Sequence, residues 1–219
     1  FLTGTFAGKK SGAPRTLDGE VIGRLLPHLR TGDLLLVRAE GKLTTALLPG
    51  FWAHAALFFG GAEDLENLGI QGHEFVVRHR HRIPEHPGRF GHVIEATSPR
   101  VGIHPLEECL AAEHVVILRP RLSEAERAGA LAEAFGHLDK PYDFEFDFNV
   151  ASRIVCTELV YRALHGRGGI AFELVKRLGR YTLTGDDLVD QILTRALDPQ
   201  FEPVALVLTD SEGVPRFVA

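Results

Sequence analysis

Cys156 opens a segment whose apolar residues recur at helical spacing. The pattern predicts a helix with one apolar face and with Glu158 and Arg162 directed away from it. The apolar positions are Val155, Leu159, Val160, Ala163 and Leu164. In the first turn of a helix, unpaired backbone N–H groups and the positive end of the dipole favour a thiolate over a thiol. The segment therefore predicts a nucleophilic cysteine, and a buried structural cysteine is the alternative that it leaves open.

A nucleophilic cysteine needs a base that takes its proton and a third polar group that orients the base. Two polar residues inside apolar, strand-like runs suit these roles: His54 in residues 53–59 and Glu95 in residues 91–97. An unpaired polar side chain in a core strand costs on the order of a few kcal/mol, so each should have a partner. A histidine whose hydrogen bonds are satisfied within the core would show the same pattern.

The strand at residues 91–97 contains two candidates for the third group. Alternation places Glu95 on the face of Val93, and His92 on the face of Ile94. Only one of Glu95 and His92 can therefore line a given site.

The composition is that of a globular chain with one sizeable core. Its 219 residues are 45% hydrophobic, and we expect a single domain over residues 1–219. A net charge of −5 provides no basic surface for nucleic acid or for an anionic membrane. No apolar run approaches the ~20 residues of a transmembrane helix. The two cysteines, Cys109 and Cys156, form neither a disulfide framework nor a C-x-x-C zinc motif, and packing explains Cys109.

The periodicities predict a chain of class α+β. Strands are predicted at residues 33–38, 53–59, 91–97, 101–104, 114–119, 203–209 and 214–218, and helices at 123–138, 156–164 and 186–196. Residues 1–15 are interpreted as a loose lead-in, Leu47–Gly50 as the end of a loop, and residues 166–219 as a C-terminal extension packed on the domain. The chain begins at Phe1 and contains no Met, as removal of a leader peptide would leave it.

Residues 62–90 differ in composition from their surroundings and are interpreted as an insertion. An acidic patch precedes the basic run Phe75–Arg82, which predicts a hairpin or mobile flap that affects substrate choice more than stability. His79 and His81 would share one strand face. No carboxylate or third ligand is spaced to complete a metal site with them, so an exposed basic strand is the better interpretation.

Several separated segments resemble the permuted branch of the NlpC/P60 superfamily, the papain-like amidases of the YiiX/YebB type. They are Gly32–Leu36, Ala53–Leu57, Val93–Ala96 with Val101–Ile103, Pro141–Phe144 and Cys156–Tyr161. Together they extend over most of residues 31–165. The histidine precedes the cysteine, which is the permuted order of the papain-like residues.

The resemblance implies a papain-like α+β fold in which the cysteine helix packs against an antiparallel, barrel-like sheet. Cys156 would be the nucleophile, His54 the general base and then acid, Glu95 the orienting group, and Tyr142 a substrate-binding residue. No cofactor or metal is implied. The substrate would be a small amide or peptide, with bacterial cell-wall peptides as one source. The protein itself would lie in the bacterial cytoplasm or the cell envelope, and the sequence does not decide between the two.

The sequence departs from the family pattern in two places. Ala53 replaces the serine often found before the histidine, and the insertion lengthens the separation between His54 and Glu95. The second departure leaves His92, Asp64 or Glu66 as substitutes for Glu95.

Two other classes of function stay open. Lipid acyltransferases of the lecithin:retinol acyltransferase type use the same constellation on esters, and a binding protein could retain the fold without activity. No apolar anchor favours the first class, and retention of Cys156, His54 and Glu95 argues against the second. The oligomeric state is not determined by the sequence.

Overall fold

The computed structural model describes residues 17–38, 50–86, 88–193 and 198–218. The predicted lead-in and residues 47–49 of the predicted loop lie outside these ranges. Within the described ranges, no helix is long and apolar enough to cross a bilayer.

A seven-stranded sheet organises the described part of the chain. Its strands are β1 (Leu34–Arg38), β2 (His54–Gly60), β3 (His92–Ala96), β4 (Val101–Pro105), β5 (His114–Pro120), β8 (Phe201–Thr209) and β9 (Pro215–Val218). The order is β4-β3-β2-β1-β5-β8-β9, and every neighbouring pair is antiparallel. The sheet is open, with β4 and β9 at its edges, so the barrel-like closure implied by the resemblance is not formed. A second sheet pairs β6 (Val175–Arg177) with β7 (Arg180–Thr182).

Helices flank the large sheet. They are α1 (Gly19–Leu25), α2 (Ala62–Asn67), α3 (Glu74–Arg78), α4 (Leu106–Cys109), α5 (Glu124–Gly136), α6 (Cys156–Leu164) and α7 (Gly185–Leu193), with 3₁₀ turns at Leu26–His28, Arg80–Arg82 and Asp198–Gln200. Helix α5 begins with the predicted capping box, in which Ser123 and Glu126 bond each other's backbone N–H groups.

Alternation along the strands builds one core on each face of the sheet. Leu34 and Leu36 of β1 join the larger core, which also contains the apolar face of α6. Leu35 and Val37 join the smaller core, which α1 and α4 cover. The predicted packing of the cysteine helix against the sheet is confirmed.

The prediction of a hairpin at residues 75–82 is wrong, because this segment is helical. Asp64 accepts the Gly61 N–H and caps α2, and His73 Nδ1 accepts the Phe75 N–H at the start of α3. Val76 is buried in the larger core, as are Leu65, Ile70 and Ile83. Packing on the core overrides the strand propensity of the β-branched residues, so the insertion is joined to the core instead of projecting as a hairpin.

The C-terminal residues form the predicted hairpin of β8 and β9. Strand β8 also pairs with β5 along its whole length. The segment therefore extends the main sheet by hydrogen bonds instead of only packing against it.

Candidate active site

The start of α6 places Cys156 at the edge of the larger core. Val155 has an extended backbone and is the N-cap, so Cys156 is the first helical residue, as predicted. The Val155 side chain makes no capping hydrogen bond, which leaves the N–H groups of the first turn without partners inside the helix. Ile154 and Val155 are buried on the apolar side and anchor this end of the helix. The backbone thus directs positive potential at the thiol.

His54 and Glu95 meet across two neighbouring strands. Glu95 of β3 lies opposite Ala56 of β2, so His54, two residues away, projects on the same face of the sheet. His54 Nε2 donates to Glu95 Oε2 at 2.5 Å. His54 is the first residue of β2, so its ring lies at the end of the strand. From there the ring can contact both Glu95 and the start of helix α6.

The ring nitrogen of His54 that does not pair with Glu95 faces the Cys156 thiol. Burial alone would lower the pKa of His54, but the negative charges of Glu95 and Cys156 and hydrogen bonds to both residues raise it to about 10. Glu95 occupies Nε2, which leaves Nδ1 for the sulfur. His54 therefore holds its proton at neutral pH, which suits an imidazolium beside a thiolate.

Glu95 is buried and remains ionised. Burial raises its pKa, but the neighbouring His54 and His104 lower it well below the usual range of a carboxyl group. Its second oxygen, Oε1, lies 2.9 Å from His104 Nδ1. The Nδ1–H bond is not aimed straight at Oε1, so the contact is close but is not a linear hydrogen bond.

His104 was missed as a candidate in the sequence. Strand parity in the sequence puts His104 on the face of Gly102, and the register of the folded sheet, in which Gly102 lies opposite Glu95, brings that face to the site.

Tyr142 is almost completely buried and lies within electrostatic range of Cys156. Burial, the Cys156 thiol and the Asp143 carboxylate raise the pKa of its phenol, so the hydroxyl stays protonated. The ring is fixed by edge contacts with Phe144 and Phe146. A neutral phenol is therefore held within electrostatic range of the Cys156 thiol.

The substitutes considered for Glu95 lie elsewhere. His92 Nδ1 pairs with the Gly60 carbonyl at the other end of β3. Asp64 caps α2, and Glu66 lines a cavity formed with Leu65 and Val76 of the insertion.

Glu158 corrects a prediction about the outer face of α6. Its side chain is fully buried and pairs with Arg162, with Arg162 Nε donating to Oε1 at 2.8 Å. Burial raises the pKa of Glu158, and Arg162 opposes this. The polar side of α6 is therefore covered near the helix start.

Cys109, the second thiol of the chain, packs in the smaller core and also lies near His54 and Glu95. One ligand atom each from His54, Glu95 and Cys109 lies within 4.8 Å of the others. A nitrogen, an oxygen and a sulfur ligand form a set that Zn²⁺ accepts. Among the described residues this is the group that could hold a metal ion.

Comparisons with known proteins found a family model and solved structures that match the chain. The family model of the permuted papain-like amidase enzymes, YaeF/YiiX, C92 family, matches residues 28–209. No curated protein matches the chain. Among solved structures, the chain is similar to the metalloprotein yiiX from Escherichia coli O157:H7, at 18% identity and a TM-score of 0.49, over 88% of this chain and 97% of that one. Because the family model covers most of the sequence, the chain belongs to the permuted papain-like amidases of the YaeF/YiiX type, a family of cysteine hydrolases.

Proposed function

We propose that the protein hydrolyses an amide bond, of the peptide or N-acyl amino acid type, through a thioester formed on Cys156. The observation that carries the proposal is the continuous contact from Cys156 through His54 to Glu95, with the sulfur at a helix N-terminus. This arrangement contains a nucleophile, a proton carrier and a group that orients the carrier.

Acylation begins from the ion pair of the Cys156 thiolate and the His54 imidazolium. The Cys156 thiolate attacks the amide carbonyl carbon, and the developing oxyanion accepts hydrogen bonds from backbone N–H groups at the start of α6, including that of Cys156. The protonated His54 then donates its proton to the leaving nitrogen, the C–N bond breaks, and the amine departs. The acyl group is left as a thioester on Sγ.

Deacylation reverses the role of His54. The neutral imidazole accepts a proton from water, the hydroxide attacks the thioester carbonyl, and the C–S bond breaks to release the acid and restore the thiolate. The Glu95 carboxylate stays ionised through both halves and stabilises the imidazolium form of His54. Tyr142 is assigned to substrate binding, because its neutral, buried phenol lies within electrostatic range of Cys156.

The substrate follows from the reaction only as a class. The family implies a small amide, and peptides derived from the bacterial cell wall are one source that fits. The proposed chemistry needs no external cofactor.

The test combines a covalent probe with a substrate comparison. A thiol-reactive acyl probe should label the peptide that contains Cys156, and mass mapping should show little label on Cys109. Purified protein should release acid from short peptides and N-acyl amino acids faster than from matched esters or phospholipids. Faster turnover of the lipid esters would contradict amide hydrolysis and would favour the acyltransferase type. Absence of label on Cys156 would contradict the acyl-enzyme.

A further inference from the structure

We propose that His104 is a positioning residue that holds the Glu95 carboxylate in the orientation needed to pair with His54. The inference rests on the proposed function, since it concerns the same nucleophile and base. It adds a fourth residue to the constellation, one that contacts neither the sulfur nor the reacting carbonyl.

The first support is the use of both carboxylate oxygens. Oε2 of Glu95 faces His54 Nε2 at 2.5 Å, and Oε1 faces His104 Nδ1 at 2.9 Å. A carboxylate with one partner can rotate about its terminal torsion, which is broad and soft. Partners on both oxygens define the plane of the group, so His104 limits the rotation that would carry Oε2 away from His54.

The second support is the space that Gly102 leaves for the His104 ring. A Cβ atom at Gly102 would lie 2.8 Å from Cε1 and 2.9 Å from Nε2 of His104. Gly102 does not have a positive φ, so its backbone does not require glycine. The ring of His104 crosses over Gly102, directly opposite Glu95 on β3, and a side chain at Gly102 would displace it.

The third support is the electrostatic environment of the ring. The contact with Glu95 raises the pKa of His104, burial opposes this, Glu108 of α4 adds to the rise, and His54 of β2 lowers it. His104 lines a cavity of about 460 Å³ together with Arg82 and Arg100. His104 is thus partly accessible, and its Nδ1 atom stays in close contact with Glu95.

Removal of His104 should leave Glu95 Oε1 without this partner, so the carboxylate can turn Oε2 away from His54. The hydrogen bond between His54 Nε2 and Glu95 should then be longer and less well aligned, and the imidazole should lose its fixed orientation.

The experiment measures, by NMR at neutral pH, the downfield resonance of the hydrogen-bonded His54 Nε2 proton in four variants of the full chain. His104→Ala removes the contact, and His104→Asn retains an amide N–H close to the place of Nδ1. Gly102→Ala leaves His104 in the chain but displaces its ring. Gly23→Ala is the matched control, because a Cβ atom there meets nothing within 4 Å.

We expect this resonance to move upfield or to be lost in His104→Ala and Gly102→Ala, and to stay near its wild-type position in His104→Asn and Gly23→Ala. For the amide substrate, kcat should fall about tenfold in the first two variants with little change in KM. A His104→Ala resonance at the wild-type position, or a His104→Asn resonance displaced as far as that of His104→Ala, would overturn the inference. If His104→Ala does not fold, Gly102→Ala and His104→Asn give the same decision.

The NMR readout separates this inference from the proposed function. A protein that hydrolyses no amide and takes no label on Cys156 would contradict the proposed function, whereas the His54 Nε2 proton resonance would still respond to His104. A hydrolase with an unchanged resonance in the variants would contradict the inference alone.

Discussion

Tyr142 and Ile154 are joined by a parallel backbone bridge two residues before Cys156. The Ile154 N–H donates to the Pro141 carbonyl at 3.0 Å, and the Asp143 N–H donates to the Ile154 carbonyl at 3.2 Å. Since Ile154 is itself buried at the foot of α6, the segment that carries Tyr142 is tied to the helix start. The phenol and the sulfur therefore keep their relative position.

This tie leads to a prediction for the Tyr142 hydroxyl. Tyr142→Phe removes the phenol O–H and keeps the ring contacts, so we expect kcat/KM to fall about tenfold with little change in melting temperature. Tyr161→Phe, on the cysteine helix α6, is the control and should retain activity. Equal activity of both variants would remove Tyr142 from the substrate-binding residues.

The two thiols should differ in reactivity despite similar burial. Cys156 and Cys109 are 1% and 2% exposed, so accessibility does not distinguish them. Cys156 begins a helix and contacts His54, whereas Cys109 ends α4, where the dipole disfavours an anion. We expect iodoacetamide at neutral pH to modify Cys156 at least about ten times faster, as followed by peptide mass mapping. Equal rates would contradict the assignment of the nucleophile.

The His54–Glu95 pair should make stability depend on pH. The folded pKa of His54 is raised from 6.5 to about 10, so its contribution is fully present below pH 6.5 and is lost as the pH rises toward 10. Glu95→Gln should therefore destabilise the protein most near neutral or weakly acidic pH, by about 3 kcal/mol. The difference in free energy of unfolding between the wild type and Glu95→Gln should become smaller at about pH 10.

The measurement is urea unfolding of the wild type and Glu95→Gln at about pH 6 and about pH 10. The same variant should keep the fold and lose turnover, because His54 is then less well oriented. His54→Ala should also slow alkylation of Cys156, since the sulfur loses its cationic neighbour. If Glu95→Gln lowers the free energy of unfolding by the same amount at both pH values, the interaction with Glu95 does not raise the pKa of His54.

The helical insertion should contribute to stability. Val76 is buried, whereas its neighbour Val77 is 51% exposed. Val76→Ala should lower the free energy of unfolding by about 2 kcal/mol, because it leaves a cavity in the larger core, and Val77→Ala should change it by less than about 0.5 kcal/mol. Urea unfolding distinguishes the two. A negligible effect of Val76→Ala would restore the interpretation of residues 62–90 as a mobile flap.

The sequence by itself determined the elements whose signals are local. The helical spacing after Val155 placed Cys156 at a helix start, and the Ser123–Glu126 capping box marked the beginning of α5. Strand alternation put His92 and Glu95 on opposite faces of β3. Each of these signals depends on residues a few positions apart, so the chain alone carries them.

Only the tertiary structure decided the relationships between distant segments. His104 reaches Glu95 because Gly102 leaves room for its ring, and Glu158 is buried because the segment around Phe148, whose carbonyl accepts from Arg162, covers that side of α6. Residues 74–78 are helical because Val76 packs on the core and Phe75 lies over Gly136 of α5. Such contacts join residues far apart in the chain, and the energy of burial there exceeds the local preference of any single segment.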